Sequence, residues 1–434
     1  MRTIIMLYVA LLIIFATLDF SVHSFPFSQT RLTTGIPAKF LHITDIHIDP
    51  YYRPYTSPAF SCHRRSLNSP NTALPYGTVG TPCDTPFITA NATFNFLHEQ
   101  SLVQFVVYTG DSVRHDRDKL MERTKAEVEE GNKMVVQWFV DEFVKNGIAV
   151  IPTIGNNDVY EHDFLPPGPT PFLNTLFHIW KPLNLNLTSS FLRGGYFRHD
   201  IPDSPLTFIS MNSMYLYNVN GLVGDCTEGT IGWEMLRWMT GEMRDLKGKE
   251  RRVAILQHVP PFDAKGRIAY FPKCYEMYVD ILGRYSDIII GHFAGHTNDD
   301  TIAFVTESSE GYKMYPVVKE EKPANNSNKN VVLVLNNAPS VIPANNPGLR
   351  IYHYATSPHN YGHLLDYVQY YVNMTQAHLV DSFEYEIEYT ARDAYGLESL
   401  EPKEWMKLLR EFEQDDSEAW KKYCLYQTVS ETDG

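Results

Sequence analysis

Five short polar stations, each where an apolar run gives out, carry residue types that bind divalent cations: Asp45-Ile46-His47, Gly110-Asp111, Gly155-Asn156-Asn157-Asp158, His258, and Gly295-His296-Thr297-Asn298. At the first station Phe40-Leu41-His42-Ile43-Thr44 leads into Asp45 and His47. A buried strand ending there presents a carboxylate and an imidazole on one side, because residues two apart share a face. A single Asp-x-His pair is as readily a hydrogen-bonded core feature; its recurrence with other donors at successive strand ends makes a ligand set. That set is Asp45, His47, Asp111, Asn156, His258, His296 and Asn298. Carboxylate, imidazole and amide-carbonyl donors suit first-row divalent ions rather than a thiolate site. Two ions are expected, bridged by Asp111, with Mn, Mg, Co, Zn and Fe all open. Such a pair, about 4 Å apart, lowers the pKa of a bridging water and clamps phosphoryl oxygens for in-line attack. The chemistry expected is hydrolysis of a phosphoester or phosphoanhydride.

The elements that must position these residues alternate in type. Apolar strands are predicted at 40–46, 105–108, 148–154, 206–211, 252–257 and 287–290, with helices at 90–100, 116–146, 233–245 and 275–285. Further strands at 301–305, 331–335 and 349–354 predict a second sheet. Strands that alternate with helices and offer ligands at their ends indicate a layered α/β sandwich. The polar stretch 308–329 reads as a surface loop. A strand at 383–389 and an acidic helical tail at 402–423 read as a C-terminal α-rich appendage, giving a main domain at 36–380 and an appendage at 381–434.

With 434 residues and a hydrophobic share of 44%, the chain can bury a substantial core. Its formal charge of -14 argues against general nucleic-acid binding. A polyanionic substrate would therefore be met by metal ions and local Lys and Arg. Residues 1–24 run from Arg2 into a long apolar stretch, as a secretory signal peptide or signal-anchor does. If uncleaved, it would place the body of the chain in a lumen and tie it to the membrane. Asn91, Asn186, Asn325 and Asn373 head glycosylation acceptor sequences, which agrees with that setting. The cysteines are Cys62, Cys83, Cys226, Cys274 and Cys424. They match no zinc spacing, so disulfides with one thiol left over are expected, with Cys62–Cys83 and Cys226–Cys274 the preferred pairs.

The order Asp-x-His, Gly-Asp, Gly-Asn-x-Asp, His, Gly-His resembles the calcineurin-like metallophosphoesterases over roughly 39–300. Asp49-Pro50-Tyr51-Tyr52, Cys62-His63, Pro75-Tyr76-Gly77 and Cys83-Asp84-Thr85-Pro86 narrow the resemblance to the acid sphingomyelinase-related branch, and most closely to the fungal endopolyphosphatases. It implies a four-layer αββα sandwich, two divalent metal ions, and cleavage of inorganic polyphosphate within the chain. It also implies a vacuolar lumen, with a single-pass type II anchor in the vacuolar membrane; secretion is the alternative. A phosphodiesterase acting on a phospholipid or nucleotide, or a non-catalytic polyphosphate-binding protein, are the alternative functions. A homo-oligomer is compatible with the sequence.

Two positions depart from the wider family. Asn157 stands where that family places a histidine that protonates the leaving group, and Asn298 replaces the last histidine of Gly-His-x-His. The resemblance implies that the endopolyphosphatases share both. Asn157 and His162 are the catalytic candidates, His162 as a substitute proton donor, with His115 and His292 also available for that role or for phosphate contact. Arg114 and His115 are the expected substrate contacts, and Arg64, Arg65, Arg117 and Lys119 could extend a phosphate track.

Overall fold

Strand β1 (Ala38–Ile43) is buried along nearly its whole length, and only a strand covered on both faces tolerates so continuous an apolar run. In this computed structural model, which describes residues 36–100, 102–323 and 330–430, β1 is central to the first of two sheets. The strands that follow are β2 (Phe105–Tyr108), β3 (Ala149–Pro152), β4 (Phe197–Asp200), β5 (Leu206–Ser210), β6 (Arg252–Leu256) and β7 (Ile289–Ala294). After them come β8 (Thr301–Ser308), β9 (Gly311–Val317), β10 (Asn330–Asn337), β11 (Gly348–Tyr354), β12 (Leu364–Tyr371) and β13 (Glu386–Thr390). One sheet runs β13-β12-β11-β1-β2-β3 and the other β4-β5-β6-β7-β10-β8-β9. β1, β2 and β3 are parallel, as are β5, β6, β7 and β10. The carboxyl ends of these parallel strands therefore open on shared loops.

The sheets meet through aromatic side chains. Phe40 on β1 lies 5.4 Å from Phe293 on β7, and Phe105 on β2 lies 5.0 Å from Phe208 on β5, both edge to face. Helices cover the outer faces. On the first sheet Phe139, from the helix Lys125–Glu142, packs 4.8 Å from Tyr108. On the second, the helix Pro272–Arg284 sends Tyr278 to His292 of β7 at 2.8 Å. The helix Ile231–Gly248 buries Met235, Leu236, Met239, Met243 and Leu246, a stripe at helical spacing. The result is the helix–sheet–sheet–helix sandwich.

Several boundaries differ from the sequence reading. The helix expected at 116–146 begins only at Lys125, capped by Thr124 Oγ1, which accepts from Glu127 N at 3.1 Å. Residues 116–123 form a loop because Asp116 and Asp118 accept backbone N–H groups from Arg123 and Leu120, competing with helical bonding. The polar stretch 308–329 is not all loop: β9 folds back antiparallel on β8. The last predicted strand is displaced to β13, which forms the edge of the first sheet against β12. Beyond it, the helix Pro402–Phe412 buries Trp405, Leu408, Leu409 and Phe412.

Cys62–Cys83 and Cys226–Cys274 are disulfides, and Cys424 is a free thiol. The leader at 1–24 and Asn325 lie outside the described residues. Among the described residues no helix is long and apolar enough to cross a membrane. Asn91, Asn186 and Asn373 are exposed.

Candidate metal centre

Every predicted ligand follows the carboxyl end of a parallel strand: Asp45 and His47 after β1, Asp111 after β2, Asn156 after β3, His258 after β6, His296 and Asn298 after β7. Five of them have left-handed backbone, with φ of 52° at Asp45, 44° at His47, 64° at Asp111, 75° at His296 and 64° at Asn298. Such residues are uncommon and collect at functional sites, where the surrounding fold holds them. Two glycines let the loops close. A Cβ on Gly155 would sit 2.1 Å from Asp111 Oδ1, and one on Gly295 would sit 2.5 Å from Asp45 Oδ2.

Two groups of ligand atoms, Asp45–His47–Asp111 and Asp111–His258–His296, share the Asp111 carboxylate, and a third joins His47 to Asp84 and His115. His258 Nδ1 donates to Thr109 O at 2.7 Å, which turns Nε2 toward Asn156 Oδ1 at 2.7 Å and Asp111 Oδ2 at 3.2 Å. His47 Nδ1 donates to Val113 O at 3.1 Å and turns Nε2 toward Asp45 Oδ1 at 3.4 Å and Asp111 Oδ2 at 3.3 Å. His296 Nδ1 lies 2.9 Å from Asn156 Oδ1. Imidazole lone pairs thus face oxygen acceptors, a repulsion that either a proton or a metal ion between them relieves. The protein shows the same demand: although burial opposes it, Asp111 and Asp45 push the His47 pKa up to about 10 and that of His258 to about 9. Asp45 Oδ1 and Asn298 Oδ1 are buried without a hydrogen-bond partner. These donors fit a pair of divalent ions.

The Asn156 amide is oriented from behind. Its Nδ2 donates to Asp163 Oδ1 at 2.9 Å and to His162 Nε2 at 2.8 Å, which leaves Oδ1 facing the centre. His162 Nε2 accepts this bond, so the ring positions a ligand. Asn157 gives both its donors to Asp111, from N to Oδ1 at 2.7 Å and from Nδ2 to Oδ2 at 2.8 Å. His115 stacks on His47 at 4.2 Å, and its Nδ1 lies 2.7 Å from Asp84 Oδ1. Burial lowers its pKa to about 4 against the opposing pull of Asp84.

Two expected contacts are elsewhere. Arg114 is fully buried, with its guanidinium on Glu127 and on the carbonyls of His115 and Met121, so it offers no charge to a substrate. His292 lies behind the second sheet against Tyr278. Of the surrounding cations, Arg64 is paired with Asp118 and Lys119 with Asp116, whereas Arg117 stands 3.7 Å from Asp84 and is 40% exposed; Arg65 is exposed.

Three residues were missed. Asp158 accepts from Asp111 N, Ser112 N and Gly155 N at 3.0, 2.7 and 2.8 Å, joining the β2 and β3 loops. Asp84 fixes His115 from both its ring and its backbone N–H. Arg123, buried, donates to the carbonyls of Arg114, Asn157, Val159 and Tyr160. Asp158 and Asp84 sit inside or beside the motifs, a signal that was available; nothing local marks Arg123.

Residues 38–299 match the calcineurin-like phosphoesterase family. The chain belongs to the calcineurin-like phosphoesterases. Residues 325–433 of this phosphoesterase match the acid sphingomyelin phosphodiesterase C-terminal region, which places it in the acid sphingomyelinase-related branch. It is similar to the endopolyphosphatase of Cryptococcus neoformans, at 31% identity over 304 residues, 62% of this chain and 44% of the relative. It is also similar to the cyclic GMP-AMP phosphodiesterase SMPDL3A of Rattus norvegicus, at 30% identity over 419 residues, 91% of this chain and 86% of the relative. The match thus spans less than half the length of the endopolyphosphatase. Among solved structures PhoD superposes with a TM-score of 0.46 at 8% identity, covering 82% of this chain and 70% of that one. The phosphoesterase fold implies divalent metal ions, in keeping with the donor set.

Proposed function

We propose that this phosphoesterase is an endopolyphosphatase, a hydrolase of internal phosphoanhydride bonds in inorganic polyphosphate. The observation that carries the reading is Asn157. At the position where the wider family keeps an acid there is an amide, with its Nδ2 bound to Asp111 at 2.8 Å. An amide transfers no proton. A phosphate leaving group, whose conjugate acid has a pKa of about 6 or lower on the scale of phosphomonoesters, departs without one, whereas an alkoxide does not. The similarity to endopolyphosphatases supports the same substrate.

Bound divalent ions would supply an activated water and charge stabilisation for the phosphoryl group. Asp45, His47, Asp111, Asn156, His258, His296 and Asn298 would hold them, and Asn157 fixes both oxygens of the shared carboxylate. His115, oriented by Asp84, stacks on His47 at the edge of the centre. Arg117 and Arg65 are the exposed cations that could guide the remainder of the polyanion. The lumenal, vacuole-like setting is part of the proposal and rests on the leader, the acceptor sequences and two disulfides.

A second reading, hydrolysis of an organic phosphodiester, is favoured by the near full-length similarity to the rat cyclic GMP-AMP phosphodiesterase. One assay separates the two. Glycosylated protein is incubated with long-chain polyphosphate or with cyclic GMP-AMP, with divalent metals added singly and Asp111→Asn as control. Intermediate-length polyphosphate products that vanish in the control support the proposal; cleavage of the dinucleotide alone moves the assignment to the second reading.

A further inference from the structure

The last station of the centre, Gly295–Asp300, is held by a part of the chain that supplies no ligand. Asn337 Nδ2 donates to Thr297 Oγ1 at 2.6 Å and to Asp299 O at 2.8 Å. Asn345 Nδ2 donates to Asn298 O at 3.2 Å and to Asp299 Oδ1 at 2.8 Å. Asp300 N donates to Gln427 O at 2.9 Å. The buried Asp300 carboxylate pairs with Arg350 and accepts from the Tyr389 hydroxyl. Arg350 is itself fully buried, lying 4.3 Å over the Tyr367 ring, with Nε on Gln369 Oε1 at 2.7 Å. All five anchoring residues, Asn337, Asn345, Arg350, Tyr389 and Gln427, fall within the C-terminal region at 325–433.

The arrangement crosses the sandwich. The loop leaves β7 of one sheet, while Arg350 and Tyr389 stand on β11 and β13 of the other. On the opposite side of the loop, His296 N donates to Asp45 Oδ2 at 2.9 Å, so the same loop also touches the first station. His296 and Asn298 sit in left-handed backbone, which a loop without anchors would leave readily.

We propose that Asn345 and Tyr389 are positioning residues, through which the C-terminal region sets the affinity of the cation position that His296 serves with Asp111 and His258. Neither touches a reacting group; each acts through the loop backbone or through Asp300. Outer partners of metal ligands commonly govern affinity about 10- to 100-fold. The inference rests on the two-cation reading of the centre.

The test is isothermal titration of Mn²⁺ into metal-stripped full-length wild-type, Asn345→Ala and Tyr389→Phe proteins, alongside thermal unfolding of the metal-free forms. The expected result is two Mn²⁺ per wild-type chain. In each variant one of the two should bind about 10-fold more weakly and the other unchanged, and hydrolysis should recover toward wild-type kcat at saturating Mn²⁺. Unchanged affinities with a lowered metal-free Tm would reduce the anchors to scaffold and overturn the inference while leaving the centre intact. Failure of the wild-type chain to bind two Mn²⁺ would overturn both. Should Asn345→Ala not fold, Tyr389→Phe decides, since it removes one hydroxyl and keeps the ring.

Discussion

Asn157 holds Asp111 by both carboxylate oxygens, from its backbone N at 2.7 Å and from its side-chain Nδ2 at 2.8 Å. A residue at the place of a family acid thus fixes the orientation of the carboxylate that two of the ligand groups share. Restoring an acid should alter which leaving groups are accepted. Asn157→His is expected to raise turnover of an aryl or alkyl phosphodiester by about 10-fold or more relative to polyphosphate. Side-by-side kcat/KM values check this, and a gain confined to polyphosphate would refute the leaving-group argument.

Asp158 joins two ligand loops through three backbone N–H groups. Removing its carboxylate leaves those donors buried, so Asp158→Ala is expected to destabilise the fold by about 4 kcal/mol. Urea denaturation monitored by tryptophan fluorescence measures it. A loss below about 1 kcal/mol would show that the loops are held by other means.

Divalent cations should stabilise the fold because the folded centre binds them and the unfolded chain does not gather the same donors. Chelation is expected to lower Tm by several degrees, with recovery on adding Mn²⁺. Asp111→Asn, which weakens the shared ligand, should blunt that response. A Tm indifferent to chelator would contradict the ligand assignment of Asp45, His47 and Asp111.

Glu388 on β13, beside the anchor residue Tyr389, supplies a pH dependence that involves no ligand residue. Burial, reinforced by Asp300, pushes its pKa from 4.5 up to about 7, although Ser430 and Gln369 hydrogen-bond the carboxylate and oppose the shift. Because the folded value lies above the unfolded one, this contribution to stability is fully present below pH 4.5 and is lost as pH rises through about 7. Wild-type protein should melt on the order of a few degrees higher at about pH 5 than at about pH 7.5, and Glu388→Gln should flatten that difference. Equal slopes in both proteins would remove Glu388 as the cause.

The strand-end pattern was legible because each parallel strand is buried on both faces and must read as an apolar run that stops where its ligand starts. Asp45, Asp111 and His258 all sit at such a stop. What was not legible depended on contacts distant in sequence. Arg114 looked like a substrate contact, yet Glu127, thirteen residues on, claims its guanidinium. The helix after Asp116 starts late because its polar residues bond to their own loop. β9 was hidden by Lys313 and Pro316, residues at home on an edge strand and misleading in a search for apolar alternation.

The left-handed backbone at Asp45, His47, Asp111, His296 and Asn298 narrows the chemical alphabet of the site. Among non-glycine residues, Asn, Asp and His are the ones enriched in that conformation, and they are also donors suited to hard and borderline divalent ions. A carboxylate moved one methylene outward, as in Asp45→Glu, must satisfy the reach of the cation and a less accommodating torsion at once. Redesign of this centre for another metal therefore begins with the main chain, and exchanging side chains on the present loops explores only a small part of coordination chemistry.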